Sequence, residues 1–113
     1  MHELSLCEGI IQVIESEAEK QNFEKVKTVW LEIGELSCVE PQAMAFMFDT
    51  VKKNTLAQNA SLEIIKIKAR ALCLGCNKSV KIQTRYDRCS LCDFQQLKVT
   101  AGEEMRIKEL EVD

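Results

Sequence analysis

The chain has 113 residues, 46% of them hydrophobic and 29% charged, with a formal net charge of -3. That length holds one main core with a small appendage, and a mean hydropathy of -0.13 excludes disordered, collagenous and coiled-coil classes. No apolar run approaches the ~20 residues needed to cross a bilayer. The stretch from Met1 to Lys20 has no basic start and carries Glu3, Glu8, Glu15, Glu17 and Glu19, which argues against a secretory signal. A cytoplasmic protein with no membrane association is expected. In that reducing compartment six cysteines point to metal or redox chemistry rather than to disulfides.

Cys7, Ile10, Ile11, Ile14 and Ala18 recur at the spacing of one helical stripe, with Glu8, Gln12, Glu15 and Glu19 opposite, which predicts a helix from about Leu4 to Gln21. Val26 to Ile33 alternates, with Val29, Leu31 and Ile33 on one face and Thr28, Trp30 and Glu32 on the other, and Gly34 closes it; this is a strand with one buried face, and Trp30 is expected in the core. Pro41 suits a first helical position, and Met44, Met47, Phe48 and Val51 follow at helical spacing until Asn54 and Asn59 interrupt. Leu62 to Ala69 and Met105 to Val112 read as strands whose apolar phase changes partway, as a bulge in each would require. The expected fold class is α/β (α+β), with two helices on a three-stranded sheet and an inserted cysteine-rich module.

The insertion runs from 71 to 98 and leaves 1–70 plus 99–113 as the main domain. It is polar and has no apolar face long enough to join the main core. Within it, Cys73-Leu-Gly-Cys76 and Cys89-Ser-Leu-Cys92 are two CxxC pairs separated by Asn77 to Arg88. Each turn aims two thiolates at one ion, a hairpin through Val80 to Thr84 brings the turns together, and Gly75 relaxes the first of them. Four thiolates leave no open coordination position, so the site is expected to be structural, with zinc as the ion. A redox dithiol would need a strand-to-helix setting that this insertion does not offer. Cys7 falls on the apolar stripe of the first helix, where a small core residue is expected, and Cys38 is a core or loop thiol; neither is assigned chemistry.

The single histidine is His2, beside the chain's amine. Methionine is expected to stay at position 1, because its removal requires a small second residue. The Met1 amine, the His2 backbone nitrogen and the His2 imidazole can close adjacent chelate rings around one ion, with Glu3 as a further donor. Ni(II) and Cu(II) both suit such donors. Binding displaces protons, so affinity is expected to fall as the solution is acidified. From the residues alone, a solvated terminal histidine is the competing explanation.

Taken together, Met1-His-Glu-Leu-Ser-Leu-Cys7, Val29-Trp-Leu-Glu-Ile-Gly-Glu-Leu-Ser-Cys-Val-Glu40, the two CxxC pairs and Gly102-Glu-Glu-Met-Arg-Ile-Lys-Glu-Leu-Glu-Val112 resemble the HypA/HybF family of hydrogenase maturation factors, in the same order over nearly the whole chain. The resemblance implies a nickel metallochaperone, not an enzyme, with an α/β nickel-binding domain and an inserted zinc domain. It implies nickel ligation by Met1, His2 and Glu3 and zinc ligation by Cys73, Cys76, Cys89 and Cys92. Some relatives carry histidines beside the CxxC pairs; this chain has none there. The implied partners are the pathway's maturation GTPase, the large subunit of a nickel-iron hydrogenase and, in some organisms, urease maturation proteins.

The alternative is a zinc ribbon that binds nucleic acid or serves as a protein-interaction module. Between Ala69 and Thr100 six basic residues (Arg70, Lys78, Lys81, Arg85, Arg88, Lys98) face two acidic ones (Asp87, Asp93), whereas the remainder holds nine basic and sixteen acidic residues. Four thiolates around one divalent ion offset part of that positive charge. The balance opposes a broad phosphate-binding face, and Tyr86 and Phe94 are too few for a base-stacking platform. Catalysis is disfavoured by one histidine, no glycine-rich phosphate loop and a metal shell without a water position.

Overall fold

The apolar stripe between Cys7 and Ala18 folds as its spacing requires. In the computed structural model, which describes residues 2–113, helix α1 spans Glu3–Gln21 and buries Cys7, Ile10, Ile11, Ile14 and Ala18. Asn22 ends it with φ 59° and ψ 44°, left-handed values that asparagine tolerates better than most residues. Strand β1 (Val26–Gly34) follows. Helix α2 (Pro41–Val51) starts on its proline, and the Glu40 carboxylate caps it by accepting the Gln42 N–H at 2.8 Å; this satisfies one of the donors that a helix start leaves over. After α2 the Lys52 ammonium donates to the Ala60 carbonyl at 3.0 Å and pairs with Asp49 at 3.1 Å, so one side chain ties the turn closed. The later strands are β2 (Ser61–Ile67), β3 (Arg70–Cys73), β4 (Ser79–Lys81), β5 (Leu97–Ala101) and β6 (Met105–Val112).

These strands form two three-stranded sheets, ordered β2-β1-β6 and β4-β3-β5. The second was not expected from the pattern of residues 71–98. Its centre is β3, antiparallel to β4 in the register Arg70 to Lys81 and to β5 in the register Cys73 to Leu97, with a register shift between Arg70 and Ala71. In β2 the half-buried positions run Leu62, Ile64, Ile65, Ile67, and in β6 they run Met105, Ile107, Leu110, so burial changes phase where the apolar pattern does.

By compactness the chain divides into two units, Met1–Leu31 with Val39–Ile65 and Arg106–Asp113, and Glu32–Cys38 with Lys66–Met105. In the first, α1 packs against α2, and Ile14, Cys7, Met44, Phe48, Val29 and Leu31 are the largest of its fully buried side chains. Met47 and Val51 are only half-buried, and so is Trp30, which lies outside the core expected for it. An indole is large and carries one polar N–H, so partial exposure leaves that donor within reach of water.

The second unit holds a small apolar cluster of its own, Ala69, Ala71, Val80 and Ile82 around Cys73 and Cys89, with Leu36, Leu97 and Val99 against it. The insertion, expected to be polar and without a long apolar face, thus shares in a core of its own: single residues from short strands supply what no long stripe announces. Two glycines make it possible. A Cβ on Gly34 would stand 2.1 Å from the Gly102 carbonyl oxygen, and one on Gly102, at φ +101°, would stand 2.6 Å from the Ala69 Cα. Through that gap the Gly34 N–H reaches the Glu104 carbonyl and the Leu36 N–H reaches the Gly102 carbonyl, both at 2.7 Å. Among the described residues, no helix is long and apolar enough to cross a membrane.

Phe48 is 0% exposed, so Phe48→Ala is expected to destabilise the first unit by about 3–5 kcal/mol through lost transfer energy and an unfilled cavity. Urea denaturation followed by far-ultraviolet circular dichroism measures it.

Candidate metal centre

Both CxxC segments fold as the same turn, sixteen residues apart. In the first, the Cys73 N–H donates to the Lys78 carbonyl at 2.9 Å and the Asn77 N–H to the Cys73 carbonyl at 2.8 Å. In the second, the Cys89 N–H donates to the Phe94 carbonyl at 2.9 Å and the Asp93 N–H to the Cys89 carbonyl at 2.8 Å. The residue after each second cysteine adopts a left-handed backbone, φ 60° at Asn77 and φ 63° at Asp93, and Asn and Asp are the non-glycine residues that bear this conformation most easily. The match between Cys-Asn and Cys-Asp was a readable signal of two equivalent knuckles that composition and spacing alone did not bring out.

The knuckles set the sulfurs face to face. Cys73 Sγ lies 3.5 Å from Cys92 Sγ, and Cys76 Sγ lies 3.8 Å from Cys89 Sγ. All four sulfurs fall within 4.8 Å of one another. A tetrahedral ion with metal–sulfur bonds of ~2.3 Å requires sulfur separations of about 3.8 Å, so the donor set fits one four-coordinate ion. The segment from 82 to 88 that returns the chain is not the hairpin expected at Val80 to Thr84. The hairpin is β3–β4, and the return is a turn built on Asp87, whose carboxylate accepts the Gln83 N–H and the Thr84 hydroxyl, both at 2.7 Å. Gly75 has a different role from the one expected, since its φ is not positive and what it provides is room for the Phe94 ring.

Backbone amides prepare the sulfurs for a cation. Cys73 Sγ accepts the N–H of Gly75 at 3.3 Å and of Cys76 at 3.4 Å, and Cys89 Sγ accepts the N–H of Leu91 at 3.4 Å. The Cys76 N–H above all, with that of Gly75, favours the charged form and brings the Cys73 thiol down to about 6. The Cys76 thiol is raised by loss of solvent around it. At Cys92 the Phe94 N–H favours the thiolate, but lost solvation and the neighbouring cysteines outweigh it and push the thiol up to about 12. Of these three, Cys73 is the sulfur on which charge settles first.

Elsewhere the predicted residues lie as follows. His2 is exposed and stands at the N-cap of α1 without a side-chain cap, its carbonyl accepting the Leu6 N–H at 2.9 Å. Glu3 is buried in the first turn, and its carboxylate accepts the Glu40 N–H at 3.4 Å. Glu40, which the sequence did not single out, thus caps α2 with its side chain and meets Glu3 with its backbone. Met1 lies outside the described residues. Cys7 is in the core, as its place on the stripe indicated, with its sulfur 3.5 Å from the Met44 carbonyl and 3.9 Å from the Met44 sulfur. Cys38 is exposed, at φ 62°.

Residues 1–112 match the family model described as hydrogenase/urease nickel incorporation, metallochaperone, hypA. The chain belongs to the HypA family. The hydrogenase maturation factors HypA of Bradyrhizobium sp. (strain ORS 278) and Rhodopseudomonas palustris (strain BisA53) are 58% and 56% identical to it over 113 residues, with the whole of each chain covered. The solution structure of the Ni metallochaperone HypA from Helicobacter pylori superposes with a TM-score of 0.73 at 30% identity, covering 99% of this chain and 97% of that one. HypA is a family of metallochaperones rather than of enzymes, and the four-cysteine group sits in a fold that the family shares.

Burial and the charge of Glu3 push the Cys7 thiol up to about 11, so at pH 7 alkylation of Cys7 in the folded protein is expected to run about a hundredfold or more slower than that of exposed Cys38; peptide mass spectrometry after timed iodoacetamide treatment compares them. Cys76 and Cys92 hold their protons at neutral pH, so a divalent ion entering the four-sulfur shell is expected to release at least two protons and to bind more weakly as pH falls. Calorimetry in two buffers of different ionisation enthalpy counts them.

Proposed function

We propose that this HypA-family chain binds Ni(II) at its amino terminus and delivers it for the maturation of nickel-iron hydrogenase, while Cys73, Cys76, Cys89 and Cys92 hold a structural Zn(II). The observation that carries this reading is the family match over residues 1–112, which includes the Met1-His2-Glu3 start. Nickel is cargo here. The Met1 amine, the His2 backbone nitrogen and imidazole, and a Glu3 donor form the chelate; His2 stands at the N-cap of α1, whose first rung is the bond from the Leu6 N–H to the His2 carbonyl, and Glu3 opens the first turn. A chelate at a chain end can shed one donor at a time to a receiving site, whereas a closed sulfur cage cannot. Selectivity for nickel depends on donor type and on the cell's restriction of copper, since Cu(II) binds such donors more tightly.

Zinc suits the second site because soft thiolates in tetrahedral array favour it and no position is open for chemistry. Residues 71–98 are assigned as the zinc-binding domain, and 1–70 with 99–113 as the nickel-binding domain. The partners are the pathway GTPase and the hydrogenase large subunit, with urease maturation proteins where a cell makes urease, and the setting is the cytoplasm. Two of the basic side chains that would recommend a nucleic acid are neutralised locally, Arg85 by Glu103 and Arg88 by Asp93, so an interaction with phosphates is the weaker reading.

The test is a nickel titration of zinc-loaded protein with its native amino terminus, beside His2→Ala and a form with extra residues before Met1. Both variants are expected to lose nickel affinity by about a hundredfold, with zinc content unchanged, since each removes chelate donors. Undiminished nickel binding in both would place the site elsewhere in the chain.

A further inference from the structure

We propose that Phe94 is a positioning residue for the metal shell: seated on Gly75, its ring clamps the first knuckle against the second, and retention of the ion depends on it. The proposal rests on the reading of the four sulfurs as a zinc site. A Cβ built on Gly75 would stand 2.7 Å from Phe94 Cγ and 3.0 Å from Phe94 Cβ, closer than two packed side chains allow. The Gly75 backbone has no positive φ, so alanine could adopt its conformation, and what excludes a side chain there is the ring.

From that seat the ring braces the stretch of chain whose N–H groups, at Gly75 and Cys76, donate to Cys73 Sγ at 3.3 and 3.4 Å. Hydrogen bonds to an anionic acceptor are the strong ones, and they depend on the turn holding both N–H groups on the sulfur. Meanwhile the backbone of the same residue closes the other knuckle, the Phe94 carbonyl accepting the Cys89 N–H at 2.9 Å. Phe94 is therefore a side-chain part of one knuckle and a backbone part of the other, which ties Cys73 and Cys92 at their 3.5 Å separation.

The clamp is built once. In the second knuckle the place of Gly75 is taken by Leu91, 63% exposed, and in the first the place of Phe94 is taken by Lys78. Phe94 itself remains 41% exposed. It contributes less to a core than a buried phenylalanine would, and its position over the metal-bearing turn is its main structural effect.

The experiment follows transfer of zinc from the full-length, zinc-loaded protein to an excess of a chromophoric chelator, with the Co(II)-substituted protein as a spectroscopic probe of tetrahedral sulfur ligation. Phe94→Ala is expected to release zinc about tenfold faster or more, as loss of an outer-shell support does at other sites, and to weaken the Co(II) absorption bands, while Phe94→Tyr keeps wild-type behaviour. Gly75→Ala, which drives the ring off its seat, should match Phe94→Ala. In the Phe94→Ala background the same Gly75→Ala change should add less than about twofold, because nothing remains for the new methyl to strike. An unchanged release rate in Phe94→Ala, or fully additive effects of the two substitutions, overturns the clamp. Should Phe94→Ala fail to fold, Gly75→Ala and Phe94→Tyr still decide between these outcomes. A wild-type protein that takes up neither Zn(II) nor Co(II) on its cysteines overturns the zinc reading instead.

Discussion

Four sulfur atoms within 4.8 Å of one another cannot all carry charge without a cation between them, and the whole segment from Arg70 to Ala101 is organised by that constraint. The backbone meets it partway by turning amides toward Cys73 and Cys89. Those dipoles stabilise a first thiolate; the rest of the electrostatic requirement falls to the ion. The β4-β3-β5 sheet then serves as a frame whose strand β3 ends on Cys73, and whose strand β5 begins shortly after the second knuckle. The small apolar cluster beneath Cys73 and Cys89 orients two of the four ligands but is too slight to replace the ion, in keeping with the general reliance of small domains on metals.

The first unit obeys a different logic, that of ordinary burial. Cys7 and Met44 meet across the two helices, and the thiol's high proton affinity keeps it neutral among apolar neighbours. Glu3, one helical turn earlier on the same side of α1, meets the start of α2 through the Glu40 N–H. The beginnings of both helices are thereby held in one place, next to the residues proposed to carry nickel. A chelate built from the end of the chain needs such an anchor, because a flexible terminus would lose much of its binding energy to ordering.

Long periodic segments were legible from residues alone. The stripe of α1 and the alternation of β1 each repeat several times within one element, α2 is marked by its single proline, and the boundaries read from them agree with the structure to within a residue or two. The second sheet was not legible: β3 and β4 are four and three residues long, too short for a period to show. Trp30 was misjudged because alternation tells which face a residue shares but not how deeply it sinks. Gly75 was misjudged because a glycine's reason, whether a positive φ or a neighbour's closeness, depends on a residue nineteen places away, Phe94. The cysteine ligand set was legible because metal chemistry imposes both residue type and spacing locally, while the meeting of Glu3 and Glu40 joins residues far apart in the chain.

The four sulfurs are unlike in one further respect. Cys73 and Cys89 are buried, Cys76 is intermediate and Cys92 is exposed. Cys92 is therefore the ligand most open to solvent, with Cys76 next, and Cys73 and Cys89 are the shielded pair. The centre thus has an inner and an outer side: two ligands belong to the small apolar cluster of the unit, and two stand toward its surface.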